Sequence, residues 1–524
     1  MSMIDTLLFI IAIVLMAACH LVELTRCMMM YQQNSYRNER YMKWLSTSGD
    51  TTSIPRLIAL VLFFLSISLF GRDLLTYVSV SLFGAIMGIK LATKRYKKPL
   101  VWTARVIRLY VVAVIVSGLI VWGASYFMNI AAAALLAYCL SHVLVMASGI
   151  LLSPVDRLIN KRYINDALRR LKSMPDLKII GITGSYGKTS TKHYLHRIFS
   201  EQFDTLMTPG SFNTTLGVVR TVREYLKPYN EVFIVEMGAK QPGDIKEICD
   251  LVHPTVGIVT AVGPQHLESF KTIERVQATK FELVDALPAD GVAVVNNDFE
   301  KIADRTVENA KCLRYAVNNK EAGYRAVNIV YSPSGTTFEV VAPDGWHLSL
   351  HTRLLGECNV SDLLAAIVTA HIMGVPDAKI VSAVAAIEPV EHRLSVKKTP
   401  AGIVILDDAF NSNPIGSRMA LEVLGSMTSG KRIVITPGMI ELGEQQYDLN
   451  RKLGQYIDAN VDVAIVVGQY NREAILTGIA DGGKLKQEQI LVADSFAEAQ
   501  RLLATVVASG DIVLYENDLP DTFK

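Results

Sequence analysis

Five apolar stretches fill the first 153 residues, at about 4–24, 57–70, 74–92, 106–127 and 130–152. They limit the possible folds more than anything else here, because a bilayer core about 30 Å thick takes roughly 20 apolar residues of helix to cross. Most of the five reach or approach that length, and the stretch at 57–70 is the shortest. The opening "MSMIDTLL" lacks the basic region of a signal peptide, and no small-residue cleavage site follows, so the first stretch is expected to be kept as a span. Charged loops part several of the runs, which argues against the buried helices of a soluble core.

Loop charge predicts the orientation. Arg26, Arg37, Arg40, Lys43 and Arg56 follow the first stretch or lie before the second. Lys94, Arg95, Lys97, Lys98 and Arg105 lie between the third and fourth, and Arg157, Lys161, Arg162, Arg169 and Arg170 follow the fifth. The two other links, "GRD" and "MN", hold one basic residue between them. Five spans with the N-terminus outside place all three basic regions on the cytoplasmic side, together with everything after Ser153. The expected localisation is therefore a multi-pass protein of the inner (cytoplasmic) membrane. Residues 154–176, rich in Arg and Leu, read as a linker helix, either amphipathic at the inner surface or an ordinary surface helix.

From residue 177 the texture changes. The β-like runs "LKIIGITG", "EVFIVEMG", "VGIVTAVG" and "GVAVVNND" alternate with segments of helical spacing such as 192–199 and 275–287. That alternation predicts a parallel sheet covered by helices. A hairpin is expected around "VNIVYSPSGTTFEVV", then a helix over about 360–373. A second α/β series opens at "GIVILDDAF", with the domain boundary near 389–393. The near-neutral balance of +2 and the lack of a long basic tract give no reason to expect nucleic acid. Six cysteines, none in a C-x-x-C pair, point to reduced thiols rather than a zinc ribbon or a disulfide framework.

The chemistry-bearing stretch is "GITGSYGKTSTK", directly after an apolar strand. Strand, glycine-rich turn and helix form the arrangement in which backbone N–H groups face a polyphosphate. The pattern G-x-x-G-x-x-G-K-T departs from the usual P-loop spacing, since Ile182 stands where the first glycine belongs. Lys188 would neutralise the terminal phosphates and Thr189 would reach Mg²⁺. Glu236 ends the strand "VFIVE", at the sheet edge where nucleotides bind, and is a candidate metal ligand. His266, Lys280 and the turn "LDDAFNSNP" are each ordinary in isolation.

Taken in order, these strings, with "SFNTTLGV", "VEMGAKQPGDI", "VGPQHLESF", "ATKFEL", "GECNVSDLLAAI" and "EHRL", resemble the Mur ligase family of ATP-dependent amino-acid and peptide ligases. The texture is nearest to the branch that adds D-alanyl-D-alanine in bacterial cell-wall precursor synthesis. The resemblance implies a P-loop ATPase-like central domain over 177–390 and a Rossmann-like C-terminal domain over 391–524, behind a transmembrane bundle at 1–153. It implies ATP held by Gly184, Ser185, Gly187, Lys188, Thr189 and Ser190, with further nucleotide contacts from Asn297, Asn359, Arg393 and Asp407 or Asp408. Thr189, Glu236, His266 and Lys280 are the implied Mg²⁺ set, Lys280 as a carbamate. Lys188, His266, Lys280 and Arg393 make up the implied catalytic group. Asn213, Thr214, Thr215, Asn411 and Asn413 fall where substrate is met.

Three departures accompany the resemblance. The bundle stands in place of the domain that binds UDP, Cys358 stands where relatives often carry histidine, and "LYENDLPDTFK" lacks the family's K-G-S string. The expectation is an ATP-dependent amide-forming ligase acting on an envelope precursor and an amino acid or peptide. The precursor could be lipid-linked, and other envelope-synthesis proteins are possible partners. The reading from another class is a nucleotide-responsive scaffold without turnover. The lipid-precursor amidating branch is disfavoured by the missing zinc-ribbon cysteines, and folate polyglutamylation needs no membrane.

Overall fold

The computed structural model describes the chain except residues 1, 2, 69–73, 95, 97, 266, 333, 334, 392, 410, 411 and 519–524. Two units emerge, the first running from Met1 to Lys161 and the second from Arg162 to Leu519.

The first unit is helical: α1 (Met3–Gln33), α2 (Asn38–Ser48), α3 (Ile54–Ser68), α4 (Leu74–Thr93), α5 (Ala104–Ala124), α6 (Ile130–Cys139) and the start of α7 (Ser141–Lys172). Among the described residues four helices, α1, α4, α5 and α7, are long and apolar enough to cross a membrane, while α3 and α6 are shorter. Two expectations change here. The stretch at 130–152 is not one helix, because the chain breaks at Leu140 into α6 and α7. Nor does a separate linker begin at residue 154. Pro154 removes one backbone donor, and a single lost bond does not stop a 32-residue helix, so α7 runs on to Lys172.

Apolar side chains such as Leu7, Val14, Phe64, Leu82, Ile115 and Trp122 face outward from this unit, and polar groups gather within it. Arg26 meets Glu23 at 2.8 Å and Asp50 at 2.6 Å, and Arg56 also pairs with Glu23. His142 bridges Asp50 (2.8 Å) and the Tyr41 hydroxyl (2.7 Å). Glu23, Cys27 and His142 lie close enough to share a metal ion. The two guanidinium groups already match the Glu23 and Asp50 carboxylates, so the cluster is a closed ion-pair network.

The second unit holds two sheets. The larger contains β1 (Lys178–Thr183), β2 (Thr205–Met207), β3 (Val232–Glu236), β4 (Val256–Val259), β5 (Val292–Asn296), β6 (Lys311–Ala316), β7 (Tyr324–Ser332), β8 (Gly335–Val341) and β9 (His347–Thr352). Its order is β2-β3-β1-β4-β5-β6-β7-β8-β9. Pairing is parallel from β2 to β7 and antiparallel from β7 to β9, which gives the expected hairpin. Near-continuous apolar strands such as "KIIGIT" and "VFIVE" are buried on both faces, as a helix-covered parallel sheet requires. One face packs on α8 (Lys188–Phe199) and helix Glu357–Ile372. The other packs on α9 (Thr215–Glu224), α10 (Asp244–Val252) and helix Ile273–Asp285.

The smaller sheet has the order β10-β11-β15-β12-β13-β14, with β10 (Ser395–Lys398), β11 (Val404–Asp408), β12 (Arg432–Thr436), β13 (Val463–Val467), β14 (Ile490–Ala493) and β15 (Ile512–Glu516). Only its β10–β11 pair is antiparallel among the described strands.

Candidate active site

The site grows from the C-terminal ends of β1 and β3, which are paired neighbours with Ile182 opposite Glu236. After Thr183 the chain turns through residues 184–187 and enters α8 at Lys188. Two glycines make the turn possible. Gly184 (φ 153°) and Gly187 (φ 79°) adopt backbone angles that favour glycine. A Cβ on Gly184 would lie 2.1 Å from the Thr260 hydroxyl, and one on Gly187 would lie 2.2 Å from the Asp362 carboxyl. The turn is braced from behind. Ser185 Oγ bonds to the Gly263 carbonyl and accepts from its N–H, both at 3.1 Å, and the Tyr186 hydroxyl donates to the Pro264 carbonyl at 3.0 Å.

Lys188 curls over its own loop, donating to the carbonyls of Gly184 (2.6 Å) and Ser185 (3.3 Å). Burial lowers its pKa to about 8, against the opposing pull of Glu236. The Thr189 hydroxyl stands 3.3 and 3.2 Å from the two Glu236 oxygens, and the Asn213 amide donates to Oε1 at 3.0 Å. Glu236 is buried, which alone would raise its carboxyl. The ammonium groups of Lys192 and Lys188, together with the Asn213 amide, instead hold it below the ordinary carboxylate range. A hydroxyl and an ionised carboxylate facing one gap are hard oxygen donors, the type that Mg²⁺ takes.

Lys280, on helix Ile273–Asp285, is buried. Burial, then the charge of Lys188, bring its amine down to about 7. Arg393 lies in the field of Asp408, Glu236 and Asp362, so it belongs electrostatically to the same site, and burial lowers its pKa. Ser190 is buried at the base of the loop beside Asp362, a carboxyl that burial raises to about 8.

Other expected contacts have protein partners. Asn297 accepts from Arg314 at 2.8 Å. Asn359 accepts from the Tyr194 hydroxyl (2.7 Å) and donates to the Leu355 carbonyl (2.8 Å), which braces its helix. Thr214 caps α9, Thr215 is the first residue of that helix, and Asn413 caps helix Pro414–Ser426. Asp407 meets Lys397 at 3.1 Å. Asp408 accepts from the Leu394 N–H at 3.1 Å, and burial raises its carboxyl to about 6. Opposite it in the sheet lies the buried Glu516, also raised by burial, in the tail where K-G-S is missing. His266 and Asn411 lie outside the described residues.

Sequence reasoning missed Lys192 and Asp362. Lys192 is the last residue of "GKTSTK" and stands one turn beyond Lys188, so its helical spacing was the available signal. Asp362 interrupts the apolar run "NVSDLLAAI".

Comparison with known proteins covers both sheets of the second unit. The Mur ligase middle domain matches residues 182–370, and the family described as Mur ligase, glutamate ligase domain matches residues 392–515. The UDP-N-acetylmuramoyl-tripeptide–D-alanyl-D-alanine ligase of Mycobacterium leprae is 30% identical over 371 residues, 64% of this chain and 70% of that protein. The enzyme of the same name from Bacillus subtilis is 26% identical over 351 residues, 65% of this chain and 72% of that protein. Among solved structures, MurF from Acinetobacter baumannii superposes with a TM-score of 0.62 at 25% identity, covering 69% of this chain and 77% of that one. MurF from Thermotoga maritima in complex with ADP gives 0.61 at 25% identity, covering 68% and 80%.

Proposed function

The chain belongs to the Mur ligase family, and from that premise we propose that it joins an amino acid or dipeptide to a peptidoglycan-type precursor at the inner face of the membrane. Membership makes it an ATP- and Mg²⁺-dependent carbon–nitrogen ligase. The observation that carries the proposal is the meeting of Lys188, Thr189, Asn213 and Glu236 at one edge of a parallel sheet.

The chemistry follows from the difficulty of acylating an amine with a carboxylate, whose leaving group would be an oxide. Transfer of the γ-phosphoryl group of ATP to the acceptor carboxylate forms an acyl phosphate. The incoming amine attacks its carbonyl carbon, phosphate departs with one former carboxylate oxygen, and the amine loses a proton. The glycine turn cradles the phosphates, and Lys188 faces the charge that shifts during transfer. Thr189 and Glu236 would hold Mg²⁺, which supplies charge neutralisation at the transferring group. Arg393 adds a cation from the second domain, and closure of that domain would keep water from the acyl phosphate.

The membrane part of the proposal rests on the outward apolar faces of α1, α3, α4 and α5 and on the basic loops. These helices would keep the catalytic domains in the cytoplasm beside a membrane-borne acceptor. The relatives named above act, by name, on a UDP-linked tripeptide, whereas this chain carries its bundle before the ligase domains. A lipid-linked acceptor fits that exchange.

The test uses detergent-solubilised full-length protein with ATP, Mg²⁺ and D-alanyl-D-alanine. It is offered either UDP-N-acetylmuramoyl-tripeptide or membrane-extracted lipid-linked precursor, and the products are read by mass spectrometry. The expected product is the lipid-linked precursor extended by the dipeptide, formed only with ATP. Extension of the UDP-linked substrate alone would remove the lipid-linked acceptor, and ADP release with no extended product would remove the ligase reading.

A further inference from the structure

Lys192 has no exposed surface. Its ammonium lies 2.9 Å from Glu236 Oε2 and donates to the Gly210 carbonyl at 2.6 Å. A lysine buried so fully is rare and must be matched by a partner, and its partner here is the carboxylate placed to hold the metal.

The two Glu236 oxygens are engaged differently. Oε1 receives the Asn213 amide, Oε2 faces Lys192, and the Thr189 hydroxyl stands beside both. A divalent ion entering beside Thr189 therefore competes with Lys192 for the carboxylate. Before nucleotide arrives, the two ammonium groups of Lys188 and Lys192 outnumber the one Glu236 carboxylate they face. A bare divalent cation meets net positive charge, whereas one arriving with a polyphosphate brings the missing negative charge. Lys192 also ties the segment from Gly210 to Asn213, where the acceptor is expected, to the same carboxylate.

We propose that Lys192 is a positioning residue acting as a resident counter-cation for Glu236. It holds the metal carboxylate and the acceptor loop in register between turnovers, and it makes metal loading depend on nucleotide. This rests on the ligase reading above.

The test is Mn²⁺ binding, read by electron paramagnetic resonance on the full-length protein in detergent, with and without ADP. Wild type should bind Mn²⁺ weakly alone and strongly with ADP. Lys192→Met and Lys192→Gln should each bind Mn²⁺ without nucleotide at least about ten-fold tighter than wild type, because a charge next to the ion has gone. Lys192→Arg should behave as wild type, a rescue that loss of packing would not give. Adding Glu236→Gln to Lys192→Met should abolish the gain. The glutamine variant keeps a donor for Gly210 and serves if the methionine variant does not fold. Unchanged or weaker nucleotide-free binding in the folded variants would overturn the role of Lys192 while leaving the ligase reading intact. Wild type that fails to bind Mn²⁺ even with ADP would overturn both.

Discussion

Lys188→Ala should lower ATP-dependent ligation by about 10³-fold or more, with the protein still folded. The expected loss is large because the ammonium is the cation nearest the glycine turn, 2.6 Å from the Gly184 carbonyl. Phosphoryl transfer asks little of a protein beyond position and charge, so a missing charge at the phosphates has little to replace it. Stability should change much less, since the side chain is only half-buried and its protein partners are two loop carbonyls. ADP release is the measurement, with a thermal melt as control. Release at the wild-type rate would refute the placement of the nucleotide.

Lys280→Ala is expected to lose about 10²-fold or more in turnover, and short carboxylates such as formate or acetate should restore part of it. An ordinary lysine is almost wholly protonated at neutral pH, whereas burial and Lys188 bring Lys280 to about 7. About half of it is then the neutral amine, whose lone pair can attack CO₂. Carbamate formation puts an acidic ligand on a side chain otherwise cationic. The carbamate should decline as pH falls through 7, because protonation removes the nucleophilic lone pair. ¹³C-bicarbonate incorporation seen by NMR in wild type and absent in Lys280→Ala would establish the modification. Full activity without CO₂, or no rescue by carboxylates, would count against it.

The ligase part was legible because its chemistry is written locally. A strand, a glycine turn and "GKTS" are contiguous, and backbone geometry follows directly from the two glycines. Glu236 was readable because the end of a buried strand in a parallel sheet is a defined place. Lys192 was not, since a helical lysine usually meets solvent. Its burial depends on β3 and the Gly210 loop arriving from elsewhere in the chain. Asn359 and Asn413 have protein partners that the sequence did not announce. The resemblance implies ligand contacts at both, and the structure adds that one receives the Tyr194 hydroxyl and the other caps a helix. The break at Leu140 escaped a hydropathy reading because both flanking helices are apolar.

The second sheet holds a pair that the sequence did not announce. Glu516 lies opposite Asp408 across β11 and β15 and receives the Ser412 hydroxyl, an acidic pair in which burial favours retained protons.

The central claim, that an acceptor carboxylate is activated by phosphoryl transfer, is tested most directly by isotope. The acceptor accepted in the product assay, labelled with ¹⁸O in its reacting carboxylate, is turned over with ATP, Mg²⁺ and D-alanyl-D-alanine, and the released phosphate is weighed by mass spectrometry. An acyl phosphate delivers one ¹⁸O atom to the phosphate for each amide bond formed. Phosphate without label, released while ATP is consumed, would mean that water rather than the acceptor receives the phosphoryl group.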